Sequence, residues 1–335
     1  MKSRKVSILT PFKNTDQFIE DCIQSVINQS YTNWELILVN DHSTDNSVAV
    51  CKRLASRDKR IQVVNNIGNG IIEALRYALS LSTGDFITRM DSDDIMHQEK
   101  LNFMANDLEK HGKGHVALGL VKYFSEAGIS DGYDRYEKWL NKLTEAGSNY
   151  SEIYKECSIA SPCWMLYKSD LLACDAFNPN DYPEDYDLTF RFYKHQFKCI
   201  ASRNLLHYWR DYPTRTSRTH EHYAQNYFLD IKLKYFLELD YQQSKNLVVW
   251  GAGFKGKTIA KKLIDRSIPF NWICDNPKKI GKSIYGQEML PFQHLEQLEN
   301  PQSIVTVANE QAQQEITAYM NKHHMKPMVD YFMFG

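Results

Sequence analysis

Three carboxylates follow one short apolar segment near residue 90 of this 335-residue chain. The segment Phe86–Met90 is predicted to be a buried strand, because it is rich in apolar and β-forming residues. Asp91, Asp93 and Asp94 then stand at the end of that strand, where open α/β sheets bind their ligands. Carboxylates this close repel one another, so a Mg²⁺ or Mn²⁺ ion shared with a phosphate would neutralise them. A solvated acidic turn that caps the next helix is the competing interpretation.

The elements before this segment alternate between strand and helix. Apolar periodicity predicts strands at Val6–Thr10, Trp34–Val39 and Ile61–Val64, with helices from Asp16, after Ser43 and at Ile71–Leu81. Such alternation with short loops indicates a mostly parallel sheet covered by helices on both faces. Pro11, Asp41 and Asp91 each follow a strand, so all three are expected at one edge of the sheet. One such aspartate is usually a helix cap, but the three together favour a ligand site.

The composition is that of a globular protein, with 43% hydrophobic and 24% charged residues and a net charge of −1. This charge balance argues against non-specific binding of nucleic acid. No apolar run is long enough to span a bilayer, and the N-terminus leads into a strand rather than a signal peptide. The seven cysteines are scattered without a C-x-x-C pair, which indicates reduced thiols in a cytoplasmic protein.

Three segments of the first hundred residues carry a resemblance to a known family. Residues 6–14 (VSILTPFKN), 39–45 (VNDHSTD) and 89–94 (RMDSDD) resemble, in order and in spacing, the N-terminal signatures of family 2 glycosyltransferases. With later motifs the resemblance covers roughly the first 220 residues. It implies the GT-A fold, a nucleotide-diphospho-sugar donor, and Mn²⁺ or Mg²⁺ as cofactor. Asn40 and His42 stand where the family often has Asp and Gly, which leaves the preferred base open.

The resemblance also implies roles for individual residues. Asp41 would accept a hydrogen bond from the base, typically uracil, and Pro11 and Phe12 would line the base pocket. Asp91 would lie near the ribose and the metal, and Asp93 would bind the metal that bridges the diphosphate. The full nucleotide-sugar site implied in this way comprises Pro11, Phe12, Asn14, Asp41, Ser43, Gly70, Arg89, Asp91 and Ser92.

A second acidic pair, Glu184 and Asp185, is predicted to lie in the first turn of a helix. From the residues alone, compensation of the helix dipole is the favoured interpretation. The resemblance instead implies that Asp185 is the general base that takes the proton of the acceptor hydroxyl in an inverting transfer. A helix N-terminus lowers a carboxyl pKa, whereas burial by Tyr182, Tyr186 and Trp164 would raise it, and the sequence does not decide between them.

Strands are also predicted at Val116–Phe124 and Lys198–Tyr208, and a basic segment follows the second of them. The resemblance implies an acceptor or diphosphate loop that includes Glu184, Trp164, Arg210 and Arg215, with Arg218 as a further cation for the leaving group. A solvated basic loop is the alternative. His207 is expected to be a buried histidine packed among aromatic rings rather than a metal ligand.

The last ninety or so residues form a separate unit in the sequence pattern. A strand leads into the glycine-rich turn Gly251, Gly253 and Gly256, a helix follows, and a second strand ends at Asp275, 22 residues past Gly253. This is the spacing of a dinucleotide-binding βαβ unit, and the segment resembles small Rossmann-like modules of sugar-modifying enzymes. Ligand binding, packing and dimerisation all remain open for it. The predicted division is residues 1–218 for the GT-A domain, 219–244 for a helical connector and 245–335 for the Rossmann-like module.

These features predict an inverting, metal-dependent glycosyltransferase. The resemblance implies that its donor is a UDP-linked sugar and that its acceptor is a hydroxyl of a glycan or a lipid-linked acceptor, in surface polysaccharide synthesis. A cytoplasmic location is expected, with peripheral membrane association through the acceptor and a homodimer as further expectations. Two alternatives remain: a nucleotidyltransferase with the same carboxylate–metal chemistry, and a non-catalytic protein that binds a nucleotide sugar or a dinucleotide.

Overall fold

The structure, a computed structural model, describes residues 3–215 and 225–335. It divides into two compact units. In the described part, the first unit contains residues 3–149 and 158–215, and the second contains residues 150–157 and 225–335. The predicted boundary at residues 218 and 219 lies outside the described residues, whereas the assignment of residues 150–157 to the second unit has no signal in the sequence pattern.

The first unit alternates strands and helices along its first hundred residues, as the periodicity predicts. Its strands are β1 (Val6–Phe12), β2 (Trp34–Asn40), β3 (Ile61–Asn65), β4 (Phe86–Arg89), β5 (Ile95–Met96), β6 (His115–Leu118), β7 (Leu120–Phe124), β8 (Trp164–Tyr167), β9 (Lys198–Ile200) and β10 (Leu205–Arg210). Its helices are α1 (Ile19–Ile27), α2 (Ser47–Ala55), α3 (Ile71–Leu81), α4 (Lys100–His111), α5 (Asp131–Ala146), α6 (Lys168–Ala173) and α7 (Glu184–Lys194).

The main sheet of this unit has the strand order β3-β2-β1-β4-β8-β6-β9. Strands β3, β2, β1 and β4 are parallel, β8 is antiparallel to both its neighbours, and β9 is parallel to β6. Helices cover the sheet with apolar faces. The spacing predicts five inward residues for α1; Ile19, Cys22, Ile23 and Val26 are buried, and the fifth, Ile27, is partly exposed. The result is the mostly parallel, helix-flanked α/β architecture that the sequence predicts.

Pro11 lies within β1, although the sequence pattern ends that strand at Thr10. The strand continues to Phe12 because its pairing with β2 runs on to Asn40. The ladder with β4, on the other side, ends where Leu9 faces Arg89. A proline is tolerated beyond that point because its missing N–H would have no strand partner there.

Gly119 divides a segment, residues 116–124, that the sequence pattern predicts as one strand. β6 before it belongs to the main sheet, whereas β7 after it pairs with β10 in a second sheet of order β5-β10-β7. A Cβ atom at Gly119 would lie 2.6 Å from a side-chain carbon of Leu206, so only glycine allows β10 to approach this closely. The segment that contains β9 and β10, also predicted as one strand, is divided in the same way: β9 pairs with β6 in the main sheet, and β10 pairs with β7 in the second. In the second sheet β10 also lies alongside β5, which follows the acidic turn Asp91–Asp94.

The second unit is built on a sheet of order β13-β14-β12-β11-β15-β16. All of its pairings are parallel except the β13–β14 hairpin. Its strands are β11 (Asn246–Trp250), β12 (Asn271–Cys274), β13 (Ser283–Ile284), β14 (Gln287–Pro291), β15 (Pro301–Val305) and β16 (Tyr331–Met333). Its α-helices are α8 (Gln225–Tyr235), continued by a π-helical turn at Phe236–Asp240, then α9 (Phe254–Asp265) and α10 (Glu310–Lys322), with a 3-10 helix at Phe292–Gln297.

Residues 150–157 are held in the second unit by an aromatic cluster. The ring of Tyr154 stacks on Phe334 with centroids 5.3 Å apart and meets Phe332 and Phe236 edge-to-face. The Tyr154 hydroxyl donates to Asp240 Oδ2 at 2.6 Å, and each of the four rings is at most 1% exposed. The C-terminal strand therefore packs on a segment that comes from the middle of the chain.

None of the helices that the structure describes is both long enough and apolar enough to cross a membrane.

Candidate active site

The carboxyl ends of β1, β2 and β4 meet at one edge of the main sheet. Phe12 lies opposite Asn40 in the β1–β2 ladder, and the main-chain N–H of Asp41 donates to Phe12 O at 2.8 Å. Across β1, Arg89 faces Leu9, so Asp91 emerges at the same edge. This parallel arrangement brings together the residues that the sequence places after successive strands.

Asp41 is buried at this edge and points one oxygen into the protein. Its Oδ1 accepts hydrogen bonds from Asn66 Nδ2 at 2.8 Å and from the main-chain N–H of Gly70 at 2.9 Å. Gly70 has φ +87°, a left-handed conformation that favours glycine. Lys13 Nζ lies 3.6 Å from Oδ2, the other oxygen. Oδ2 is therefore the oxygen that remains for a ligand, next to a cation that the sequence analysis did not single out.

Hydrogen bonds from the side chains of Asn14 and Ser43 join the loop after β1 to the loop after β2. The main-chain N–H of Asn14 donates to Ser43 Oγ at 3.1 Å, and Asn14 Oδ1 accepts from the main-chain N–H of Thr44 at 2.8 Å. Asn14 has φ +51°, which asparagine tolerates better than most residues. The two side chains hold the loops after β1 and β2 together, so they shape the pocket in which Asp41 lies.

Arg89 is buried between two carboxylates from distant parts of the sequence. Its Nε donates to Asp91 Oδ1 at 2.8 Å, and its Nη1 lies 3.0 Å from Glu184 Oε1. The guanidinium thus joins the acidic turn after β4 to the first turn of α7. Tyr182 belongs to the same region: burial first, and then the charges of Glu184 and Asp41, raise its pKa. The donor pocket and the Glu184–Asp185 pair are neighbours in space.

The acidic turn itself is not the helix cap of the competing interpretation, because β5 follows it and α4 begins only at Lys100. Asp93 Oδ2 accepts a hydrogen bond from the Tyr212 hydroxyl at 2.8 Å. Asp93 Oδ1 and Asp91 Oδ2 have no hydrogen-bond donor among the residues that the structure describes. Ser92 lies between the two carboxylates and is 6% exposed. Two carboxylate oxygens are therefore free to bind a cation.

The electrostatics of Asp93 also fit a cation. Burial, together with the charges of Asp94 and Asp91, raises its pKa to about 7 against the opposing effects of Arg215 and Tyr212. In residues 3–215 and 225–335 no three His, Cys, Asp or Glu side chains are arranged around a common metal position. A hard cation bound by so few carboxylates takes its other ligands from water or from a phosphate, as Mg²⁺ commonly does. Asp91 and Asp93 thus fit a metal bound together with a phosphate-bearing ligand.

Asp94, the third carboxylate, turns inward. It is 0% exposed, with His207 Nε2 2.9 Å from Oδ2 and the main-chain N–H of Arg210 donating to Oδ1 at 2.8 Å. Burial raises its pKa to about 7. His207 is buried, as the sequence predicts, but the groups that face its ring nitrogens are polar: Asp94 at Nε2 and Lys100 Nζ at 3.5 Å from Nδ1. Sequence spacing carries no signal for this pair, because its members lie 113 residues apart.

Arg210 and Arg215 lie beside the acidic turn. Arg210 Nε donates to the main-chain oxygen of Asp93 at 2.7 Å, and its guanidinium stands over the rings of Phe18 and Phe124. Arg215 is 7% exposed, and the charges of Asp94, Asp93 and Asp91 raise its pKa despite burial. The alternative interpretation, a solvated basic loop, is therefore wrong for these two residues. Arg218 lies outside the described residues.

Asp185 and Glu184 begin α7. Burial, followed by the adjacent charge of Glu184, raises the pKa of Asp185 to about 7, while Arg89 and the main-chain N–H of Tyr186 oppose the shift. That N–H donates to Asp185 Oδ1 at 2.8 Å. Burial therefore outweighs the helix N-terminus, which settles the direction of the pKa shift that the sequence left open. A carboxylate with this pKa is a stronger base than a solvated one.

Asp187 in α7 and Trp164 in β8 are both buried by contacts within the protein. Asp187 is 1% exposed and accepts from Arg191 Nε at 2.8 Å, and Arg191 also donates to the main-chain oxygens of Cys174 and Ala176. Trp164 is 2% exposed, inside β8, where its ring meets Phe192 edge-to-face. The structure therefore buries Trp164 against α7, and its expected place in the acceptor or diphosphate loop stays a prediction.

The glycine turn of the second unit is closed on itself. Gly251 has φ +126°, and a Cβ atom there would lie 2.5 Å from Thr306 Oγ1; a Cβ atom at Gly256 would lie 2.1 Å from Gly251 O. Gly253 faces open space, Asp275 is exposed, and Lys279 Nζ donates to Ala252 O at 2.6 Å. Packing alone accounts for two of the three glycines.

Comparison with known proteins shows the family to which the chain belongs. The family model described as Glycosyl transferase family 2 matches residues 7–174, about half of the chain. An uncharacterized glycosyltransferase of Haemophilus influenzae is 31% identical over 229 residues, which cover 65% of this chain and 68% of that protein. Glycosyltransferase GlyA of Streptococcus pneumoniae is 27% identical over 214 residues; these cover 62% of this chain but only 30% of GlyA.

Solved structures agree on the fold. The crystal structure of Staphylococcus aureus TarS in complex with UDP-GlcNAc aligns with a TM-score of 0.56 at 20% identity, over 77% of this chain and 71% of that one. The mannosyltransferase PcManGT from Pyrobaculum calidifontis, in complex with GDP-Man and Mn²⁺, aligns with a TM-score of 0.51 at 17% identity, over 70% and 63% of the two chains. The first unit has the GT-A architecture, and the chain belongs to glycosyl transferase family 2.

Proposed function

We propose that the chain is a metal-dependent, inverting glycosyltransferase that moves a sugar from a nucleotide-diphospho-sugar to an acceptor hydroxyl. One observation carries the proposal: Arg89 joins Asp91 of the acidic turn to Glu184, the neighbour of Asp185. A base for the acceptor and carboxylates for a metal-bound diphosphate are thus tied together by one buried side chain. An inverting transfer needs both on one active site.

The donor is proposed to be UDP-linked. Asp41 Oδ2 can accept one N–H from a base, while Oδ1 is already used by Asn66 and Gly70. Lys13 Nζ, 3.6 Å from Oδ2, can donate to a carbonyl oxygen next to that N–H. Uracil offers an N–H flanked by carbonyls. Guanine would add an amino group that needs a second acceptor, and Asp41 has only one oxygen to offer. The UDP-GlcNAc bound to the TarS structure supports this choice.

Asp91 and Asp93 are proposed to hold Mn²⁺ or Mg²⁺ through their free oxygens. The ion would neutralise charge on the diphosphate as the bond to the sugar breaks, so that no second acid is required. The Mn²⁺ in the PcManGT structure supports a divalent ion. Arg210 and Arg215 lie beside the same turn and add fixed positive charge for the leaving group.

Asp185 is proposed to take the proton from the acceptor hydroxyl while the oxygen attacks the sugar C1 from the face opposite the diphosphate. The pKa of about 7 keeps the carboxylate largely ionised just above neutral pH and still basic enough to accept the proton. Glu184 remains paired with Arg89 and orients the first turn of α7.

The second unit is proposed to be a small Rossmann-like module, with the domain boundaries that the sequence predicts, except that residues 150–157 join it. Its parallel strands and glycine turn support this. A glycan or lipid-linked acceptor of a surface polysaccharide, reached from the cytoplasmic face of the membrane, and a homodimer belong to the same proposal.

Product analysis tests the proposed activity. The protein is incubated with UDP- and GDP-linked sugars and Mn²⁺, and released nucleotide is separated by chromatography. Release of nucleoside diphosphate, favoured with UDP-sugars and abolished by EDTA, is expected. Release of pyrophosphate would instead identify a nucleotidyltransferase. Binding of UDP-sugars without any turnover, in the presence of acceptor glycans, would favour a binding protein.

A further inference from the structure

Lys100, His207 and Asp94 form a buried polar row beside the acidic turn, and the proposed reaction uses none of them. Lys100 begins α4, His207 lies in β10, and Asp94 ends the acidic turn; all three are 0% exposed. Lys100 Nζ lies 3.5 Å from His207 Nδ1, and His207 Nε2 lies 2.9 Å from Asp94 Oδ2. Burying charged groups away from water is unfavourable, so this row calls for a reason beyond packing.

The two neighbours of His207 determine where its proton lies. An ammonium can only donate, so Nδ1 must present its lone pair to Lys100. A neutral ring carries one hydrogen, so a lone pair at Nδ1 leaves that hydrogen on Nε2, which lies 2.9 Å from Asp94 Oδ2 and donates to it. The opposite tautomer would direct an N–H at the ammonium and a lone pair at the carboxylate, and both interactions would be lost. The geometry therefore selects the neutral ring with the proton on Nε2.

Asp94, oriented by His207, in turn holds the main chain of the segment that contains Arg210 and Tyr212. Its second oxygen accepts the main-chain N–H of Arg210 at 2.8 Å. Arg210 Nε then donates to Asp93 O at 2.7 Å, and the Tyr212 hydroxyl donates to Asp93 Oδ2 at 2.8 Å. Tyr212 thus orients the Asp93 carboxylate. The position of Tyr212 in turn depends on the hydrogen bond between the Arg210 N–H and Asp94.

The other end of the row is tied to the main chain. Lys100 Nζ donates to Pro162 O at 2.5 Å, in the turn before β8. The ammonium is therefore held by a fixed carbonyl rather than by solvent, and it stays beside His207.

We propose that Lys100 and His207 are positioning residues for the cation site. Lys100 selects the His207 tautomer, His207 orients Asp94, and Asp94 holds Arg210 and Tyr212 against Asp93. This inference rests on the proposed function, because its purpose is to keep the Asp93 carboxylate aimed at a metal-bound diphosphate. Outer partners of this kind change metal affinity or activity about 10- to 100-fold when they are removed.

The tautomer is tested without any substrate. Long-range ¹H–¹⁵N spectra of ¹⁵N-histidine-labelled protein, with His207→Gln to assign the signal, report which ring nitrogen carries hydrogen. We expect a protonated Nε2 and an unprotonated Nδ1 in the wild type, and loss of that single form in Lys100→Met. A protonated Nδ1 in the wild type, or an unchanged signal in Lys100→Met, would overturn the inference.

The consequence is tested by calorimetry of UDP binding with and without Mn²⁺. We expect Lys100→Met and His207→Leu each to reduce the Mn²⁺-dependent gain in UDP affinity about 10-fold or more, with metal-free affinity unchanged because the Asp41 pocket is intact. His207→Gln should lose less than His207→Leu, because its amide can still donate to Asp94. Lys110→Met, an exposed position in the last turn of α4, is the matched control and should behave as the wild type.

The outcomes separate the two proposals. Folded Lys100→Met protein, by melting temperature, with an undiminished Mn²⁺-dependent gain contradicts the positioning role and leaves the proposed function standing. If the wild type itself shows no such gain, the proposed metal role fails. The His207 spectra then decide the inference by themselves.

Discussion

Arg89 and Glu184 form a buried ion pair across 95 residues of sequence, with 3.0 Å between Nη1 and Oε1. The two side chains are 6% and 5% exposed, so water screens the pair little. Because Nε of the same guanidinium binds Asp91, one arginine keeps the first turn of α7 at a constant distance from the acidic turn. The base and the metal ligands proposed above therefore share a single tether.

Asp185→Asn tests the base. The amide keeps the shape of the side chain but cannot accept a proton, so transfer should fall about 10²- to 10⁴-fold with donor affinity unchanged. Glu184→Gln should cost less in rate, because it weakens the tether to Arg89 without removing the base. Turnover and UDP affinity are measured on both. Asp131→Asn, an exposed acid in the first turn of α5, is the control for helix-terminus effects, and near wild-type turnover in Asp185→Asn would refute the assignment.

The same substitution should stabilise the protein at alkaline pH. The folded-state pKa of Asp185, about 7, lies above the ordinary value of 3.8. The folded form therefore retains a proton that the unfolded chain releases. The resulting contribution to the free energy of unfolding is fully present below about pH 4 and is lost as pH rises through 7. The Asp185→Asn side chain does not ionise, so the variant does not lose this stability as pH rises. Its melting temperature should therefore be higher than that of the wild type at pH 8 and should fall less between pH 5 and 8. A lower melting temperature at pH 8 would instead favour a helix-capping role.

Asp93→Ala should abolish transfer and remove the Mn²⁺-dependent part of UDP binding, because the diphosphate would lose its counter-charge. Binding without metal should persist through Asp41. Calorimetry with and without Mn²⁺ makes the comparison. Wild-type activity of this variant in EDTA would rule out the metal role of the acidic turn.

Asp41 is best tested with asparagine, because alanine would also free Asn66 and the Gly70 N–H. Asp41→Asn can keep an oxygen toward those two donors and turn its NH₂ toward the ligand, where an acceptor is needed. We expect a UDP affinity about 10- to 100-fold lower, equivalent to 1–3 kcal/mol for one unsatisfied polar contact, with turnover at saturating donor little changed. A large drop in saturated turnover at unchanged affinity would speak against a base-binding role.

Truncation after Tyr241 tests the division into units, and the structure changes the expected result. The sequence predicts a folded, soluble first domain after this cut. The cut removes Phe332 and Phe334, however, and so uncovers Tyr154 and Phe236. We expect the truncated protein to aggregate and Tyr154→Ser to improve its solubility, whereas the same substitution should destabilise the full chain. Light scattering and melting temperature decide, and a soluble, monomeric truncation without the substitution would show that the aromatic cluster is dispensable.

The sequence by itself determined the strands and helices of the first hundred residues. The spacing of apolar residues in α1 and at Ile71–Leu81 matches the observed helices, since a helix that buries one face must repeat apolar residues every three to four positions. The carboxylates after β4 are equally local, because a strand and the turn that follows it are adjacent in the chain. The family signatures added expected roles for Asp41, Asp93 and Asp185.

Only the tertiary structure decided which distant groups meet. The split at Gly119 depends on the approach of Leu206 from β10, and no periodicity within residues 116–124 encodes it. The pairing of Asp94 with His207 depends on that split, because it places β10 beside β5. The pKa of Asp185 likewise follows from burial and from Glu184 and Arg89 together. The local spacing of apolar residues predicts which face of a helix or strand is buried. The order of the strands in the sheet determines which other residues that buried face contacts.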